Sequence, residues 1–230
     1  MRLDTLQKLN AAKRAGRAIV RAVDLRSGEE KLVDPASDTS ALGAASAEAA
    51  SADKSAPVEV EGRTWFLSVF NPPLELVIVG AVHIGQTLAP MAALAGYLVR
   101  VVDPRASFAT PARFPDVTLT QDWPDEALAQ FPLGSRSALV ALAHDPKVDD
   151  PALIAALRSN CFYIGALGSR KTHVRRLERL KQQRFSEHDL ARIRGPVGLP
   201  IGARSPAEIA ISILAEMTQT LRLGDDAAQA

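Results

Sequence analysis

The sequence predicts an α/β fold: a parallel sheet with helices on both faces, behind a small N-terminal α+β domain. Three observations predict it. Short apolar runs with little polar alternation, such as Leu76–Val79, Tyr97–Val102, Ser137–Ala143 and Phe162–Leu167, read as strands buried on both faces. Helix-patterned stretches separate these runs, the order expected of parallel strands joined by crossover helices. Asn71-Pro72-Pro73 cannot continue a hydrogen-bonded ladder and divides this alternation from a first segment of different character.

The elements follow in order. Met1–Ala15 places Leu3, Leu6 and Leu9 on one side of a helix, and Ala18–Leu25 reads as a strand ending at a Ser27-Gly28 turn. Pro35–Pro57 is rich in Ala and Ser; a structureless loop of that length is unusual in a compact domain, so a helix is expected near 39–52. Val58–Phe70 resumes a strand pattern around a Glu61-Gly62 hairpin turn. Beyond the boundary, helices are expected at Ile84–Ala95, Pro151–Arg158, Ser169–Gln183 and Pro206–Leu221. The last opens with Ser205-Pro206-Ala207-Glu208, which places Ser at the N-cap, Pro at the first helical position and Glu at the third. The expected domains are residues 1–70 and 74–222.

The bulk properties narrow the function. A formal charge of +1 over 230 residues gives no global attraction to nucleic acid or to an anionic membrane. A single cysteine, Cys161, permits no internal disulfide and fits a reducing compartment. Met1–Arg17 lacks the apolar core of a signal peptide, and no run approaches the roughly 18 apolar residues of a membrane span. The expectation is a soluble cytoplasmic protein.

The chemistry concentrates at strand ends. Leu76–Val79 runs into Gly80-Ala81-Val82-His83-Ile84-Gly85, a strand, a glycine turn and a helix start. This reads as the entry of a dinucleotide-binding βαβ unit, with Gly80 making the turn and Gly85 permitting close helix–strand packing, or as a turn that is glycine-rich for sterics alone. Val82 occupies the place of the glycine that lets a pyrophosphate approach. Asp103 lies 23 residues beyond Gly80, near the spacing of the carboxylate that binds ribose, or else it is an ordinary loop carboxylate. His83 suits either an oxygen ligand at a helix N-terminus or a surface position. His144-Asp145 follows another strand, as proton carrier and orienter, as metal ligands, or as a polar turn with Asp145 capping a helix. Gly165, Gly168, Ser169, Arg170 and Lys171 open a further helix, as an oxyanion site or as a capped helix with a solvated basic face. From Arg170 to Arg184 seven Lys or Arg residues stand against one acid, Glu178, yet no aromatic residues interleave, so nucleic acid is not expected. Asp149-Asp150 reads as a polar turn beside Pro151, and Cys161 as a small core hydrophobe. No nucleophile has a recognisable base, and no metal site is apparent.

In order, Gly80–Gly85, Val101-Val102-Asp103-Pro104-Arg105, Ala143-His144-Asp145, Tyr163–Lys171, Gly198–Ala203 and Ser205–Ala210 resemble the XdhC/CoxI family of xanthine dehydrogenase accessory proteins. The likeness covers about residues 65–220. It implies a Rossmann-like domain behind a reduced N-terminal domain, in a chaperone rather than an enzyme turning over a metabolite. It implies transient binding of the molybdenum cofactor (a phosphate-bearing pterin), assistance in its sulfuration, and transfer to a xanthine-dehydrogenase-type molybdenum hydroxylase. A cysteine desulfurase is an implied partner and a homodimer an allowed assembly. Gly80, Val82, His83, Gly85, Asp103, Arg105, His144, Asp145, Gly165, Gly168, Ser169, Arg170 and Lys171 are the implied binding residues. NAD(P) is the alternative cofactor, in an oxidoreductase; a non-catalytic adaptor is the third reading.

Overall fold

The computed structural model describes residues 3–224. The chain divides between Pro72 and Pro73 into two compact units, each with its own core. The first contains α1 (Leu3–Arg14), β1 (Ile19–Asp24), β2 (Glu30–Val33), α2 (Ala41–Ser51), β3 (Ala56–Val60) and β4 (Arg63–Phe70). Its sheet is antiparallel in the order β2-β1-β4-β3. Alternation along β1 buries Val20 and Ala22, which pack with Val33, Trp65 and Leu67. Glu61 and Gly62, at φ of 50° and 72°, make the tight β3–β4 turn. Ser40 caps α2 by accepting the Gly43 N–H at 3.0 Å.

The second unit contains β5 (Leu74–Val79), α3 (His83–Leu94), β6 (Tyr97–Val102), β7 (Thr118–Thr120), α4 (Pro124–Gln130) and β8 (Ser137–Ala141). It continues with α5 (Pro146–Leu157), β9 (Tyr163–Ala166), α6 (Arg170–Lys181), α7 (Glu187–Ala191), β10 (Ile193–Arg194) and α8 (Pro206–Leu223). All its strand pairs are parallel, in the order β10-β9-β8-β5-β6-β7. The chain winds from β5 to one edge, then returns to β8 and winds to the other. Its switch point is therefore the crevice between the C-terminal ends of β5 and β8.

Side-chain alternation explains the two covered faces. On β5, Leu76 and Ile78 join Leu88 of α3 and Ile213 and Met217 of α8. Val77 and Val79 join Leu128 of α4, Leu153 of α5 and Leu190 of α7 on the other side. The short elements β2, β7, α4, α7 and β10 go beyond those the sequence pattern predicts. The helix expected from Pro151 begins at Pro146, because Asp145 caps it and Pro146 takes the first helical position. Pro151 lies inside it. Among the described residues no helix is long and apolar enough to cross a membrane.

Candidate functional site

The β5–α3 turn depends on two glycines. Gly80 has φ of 106°, and a Cβ there would lie 2.6 Å from the Ala143 nitrogen, so the turn abuts the end of β8. A Cβ on Gly85 would sit 3.2 Å from the Gly80 carbonyl oxygen, which fits its expected packing role. Val82 is the N-cap of α3 and offers no side-chain capping bond. His83 is exposed.

Asp103, which ends β6, is fully buried. Its Oδ2 accepts the Ala81 N–H at 2.7 Å and Arg105 Nη2 at 2.7 Å. Its Oδ1 accepts the Arg105 backbone N–H at 3.0 Å and Nε at 2.8 Å. These four donors occupy the roughly four lone-pair positions of a carboxylate. Burial pushes its pKa up, but the Arg105 and Ala81 hydrogen bonds outweigh burial and the net shift is downward. Arg105 also stacks over Phe108, 4.4 Å from the ring centroid. Asp103 thus ties the residue before the α3 N-cap to Arg105, and its four acceptor positions are taken by the protein itself.

The β8–α5 loop holds His144 exposed at φ of 61°, a left-handed conformation that a non-glycine residue adopts at a cost. Asp145 Oδ1 accepts the Lys147 N–H at 2.9 Å, committing that oxygen to a helix cap. Asp149 lies in the first turn of α5, not in a polar turn, and is 2% exposed. Its Oδ1 accepts the Ala143 N–H at 3.1 Å. Burial pushes its pKa up to about 6, against the Arg176 charge and the N–H groups of Ala143 and His144. Asp150 beside it receives a two-pronged bond from Arg179, at 2.6 and 2.9 Å.

The β9–α6 loop separates packing from chemistry. Gly165 is buried, and a Cβ there would sit 2.5 Å from Val197 Cγ2 and 2.8 Å from Tyr163 Cε1. Gly168 has φ of 144°. Ser169 caps α6 by accepting the Thr172 N–H at 3.2 Å. Arg170 and Lys171 are exposed in the first turn, which contains no acid. Arg176, two turns on, is buried; Nη2 donates to the Leu167 carbonyl at 2.8 Å and lies 3.7 Å from Asp149 Oδ2. Among the described residues its Nε and Nη1 have no hydrogen-bond partner.

His83, His144, Ser169, Arg170 and Lys171 therefore carry exposed polar groups on loops and first helical turns that follow the C-terminal ends of parallel strands. Gly80, Gly85, Gly165 and Asp103 lie beneath, setting backbone and packing. Sequence reasoning missed Asp149, Arg176 and Glu216. Glu216 is a buried carboxylate on α8 that accepts the Tyr163 hydroxyl and, at 2.9 Å, the Gly198 N–H. A carboxylate on the inward face of a helix was the available signal for Glu216. The basic run concealed Arg176. Among the described residues no three His, Cys, Asp or Glu side chains gather as a metal site.

Residues 76–217 match the family described as the XdhC Rossmann domain. The chain is 33% identical over 156 residues to a probable xanthine dehydrogenase subunit of Bacillus subtilis (strain 168), covering 67% of this chain and 45% of that protein. It is 33% identical over 148 residues to the molybdenum cofactor insertion chaperone PaoD of Escherichia coli (strain K12), covering 64% and 40%. Among solved structures, a xanthine dehydrogenase from Bacillus halodurans superposes with a TM-score of 0.71 at 25% identity, covering 97% of this chain and 66% of that one. The matches thus span less than half of these two curated relatives' length. With its doubly wound sheet, altered glycine turn and matched Rossmann domain, the chain belongs to the XdhC family.

Proposed function

We propose that this protein binds the molybdenum cofactor at the C-terminal edge of its parallel sheet. There it acts as an accessory protein that assists cofactor sulfuration and delivers the product to a xanthine-dehydrogenase-type molybdenum hydroxylase. One observation carries the reading: the two helix N-termini at this edge differ in what they leave for a ligand. At the α3 end buried Asp103 takes the Ala81 N–H, just before the Val82 N-cap, and is itself paired with Arg105. Neither first turn contains an acid, but α6 presents two exposed cations there, Arg170 and Lys171. A ligand with one phosphate and a polar ring system suits this arrangement better than a dinucleotide.

The residues present fit the cofactor. Backbone N–H groups at the start of α6, with Arg170 and Lys171, would hold the phosphate. His83 and His144, both exposed, would face the polar pterin edge or the metal's oxygen atoms. The cofactor itself would supply the molybdenum centre needed by the receiving enzyme. The family membership and the likeness to a protein named as a molybdenum cofactor insertion chaperone support the reading. A cysteine desulfurase would be the sulfur source, and the protein would work in the cytoplasm. The saturated carboxylate of Asp103 argues against the nicotinamide reading.

Purification from a cofactor-producing host tests the proposal. Oxidised-pterin fluorescence and molybdenum are expected to co-purify, with both signals reduced in Arg170→Ala/Lys171→Ala. Absence of binding to added cofactor at micromolar concentration would sink it.

A further inference from the structure

The Asp149-Asp150 pair of α5 faces the Arg176 and Arg179 pair of α6 through two unequal contacts. The outer contact, Arg179 to Asp150, is a two-pronged salt bridge that reaches solvent. The inner contact, Arg176 to Asp149, is buried and spans 3.7 Å, too long for a hydrogen bond, so it acts through charge. Only the inner groups also reach the strand-end loops. Asp149 accepts the Ala143 N–H of the β8–α5 loop, next to left-handed His144. Arg176 donates to the Leu167 carbonyl of the β9–α6 loop, next to Gly168 and Ser169.

Burying a carboxylate and a guanidinium at this distance, with two guanidinium nitrogens unpartnered, is a poor way to gain stability alone. An apolar pair would pack the same gap at lower cost. The arrangement makes sense if its role is geometric, because it fixes His144 relative to the start of α6. We infer that Asp149 and Arg176 are positioning residues: one buried charge pair holding the His144 loop and the Gly168–Lys171 loop at a fixed spacing. That spacing matters for ligand binding only on the reading above, but the mechanical link between the loops stands independently of it.

The experiment is native-state hydrogen exchange on the whole protein, comparing wild type with Arg176→Met, Arg176→Lys and Asp149→Asn. Arg176→Met is expected to speed exchange at Ala143 and His144, which Arg176 does not touch, by about tenfold or more. Asp149→Asn is expected to speed exchange across 167–169, and Arg176→Lys to restore part of the protection. Protection along β5 and in α3 is expected to be unchanged. Acceleration confined to the loop that lost its own partner overturns the inference, as does uniform acceleration throughout the sheet. Should Arg176→Met fail to fold, Arg176→Lys and Asp149→Asn still decide the matter by the same criterion. Cofactor affinity, measured in parallel by pterin fluorescence, separates the two ideas. Coupled loops with no cofactor binding by wild type reject the function while the link stands. Binding without coupling rejects the link alone.

Discussion

The starts of α3 and α6 stand at the same edge of one sheet, and the chain treats them in opposite ways. At α3 the N-cap is Val82, with no capping side chain, and the preceding Ala81 N–H is held by buried Asp103, itself paired with Arg105. At α6 the N-cap is Ser169, which satisfies a local N–H, and the following residues are both cations. A helix dipole favours acids in its first turn, as α4, α7 and α8 show with Asp125, Glu187 and Glu208. The α6 sequence runs against that preference. Before α3 a buried acid is paired with Arg105, whereas the first turn of α6 carries two exposed cations.

The severest way to break the comparison is to unseal α3. Asp103→Ala leaves the Ala81 N–H buried without an acceptor and Arg105 without its carboxylate. The expected loss is about 3 kcal/mol, since breaking one side of a buried pair exposes the desolvation cost of the other. Urea unfolding measures it. Asp103→Asn keeps an acceptor and is expected to lose less than half as much; equal losses would mean that the seal is packing rather than electrostatics.

A second test uses pH, where the two ligand-edge carboxylates act with opposite sign. Asp149 is raised in the folded state from the ordinary 3.8 to about 6, through burial. The native state therefore holds its proton more tightly than the unfolded chain does. The resulting stabilisation, on the order of 3 kcal/mol, is complete below about pH 4 and lost as pH rises through 6. Asp103 is lowered, so its contribution is present above the ordinary carboxylate range and lost as pH falls through its folded value. Thermal melts of Asp149→Asn are expected to flatten the profile between pH 4 and 6 while leaving the acid limb attributable to Asp103. An unchanged profile would show that Asp149 is not the group titrating there.

Much of this edge was legible in the sequence, for identifiable reasons. β5, β6, β8 and β9 are mostly apolar runs, interrupted only by Glu75, Arg100 and Ser137, and α8 announces itself with a capping box, so local pattern sufficed. Gly80 and Gly85 follow from the steric demands of the turn. The small elements β2, β7, α7 and β10 have too few buried side chains to leave a period; only Val33 of β2 is fully buried. The engagement of Asp103 by Arg105 spans two residues and could have been read from the spacing. Arg176 with Asp149, and Tyr163 with Glu216, are 27 and 53 residues apart and meet only through the winding of the sheet. Pro151 hid the true start of α5, because a proline within a helix resembles a proline that opens one.

A smaller effect sharpens the other half of the comparison. Replacing Arg170 and Lys171 by Glu puts acids where the α6 dipole favours them, and is expected to raise stability by roughly 0.3–1 kcal/mol per site. On the proposed function, the same change is expected to abolish binding of the phosphate-bearing cofactor. A variant that is more stable and binds less is the signature of a position kept for function. Loss of both together would return Arg170 and Lys171 to a solvated face.

The smallest expected change is also the most pointed. Val82→Gly restores the residue that a dinucleotide turn calls for. Its cost in stability should be a few tenths of a kcal/mol, because lost packing of a partly buried valine is offset by a better N-cap residue. If Val82 alone excluded a dinucleotide, the variant would bind NADH or NADPH, visible as enhanced nicotinamide fluorescence. The expectation is no binding at millimolar nucleotide. The ribose would still have to compete with Ala81 and Arg105 for a carboxylate whose acceptor positions are filled. Binding by Val82→Gly would show that the seal at α3 opens easily and that the two helix ends differ less than their hydrogen bonds indicate. Binding only after Arg105→Ala is added would instead assign the exclusion to the Arg105–Asp103 pair, leaving α6 as the end that attracts the anion.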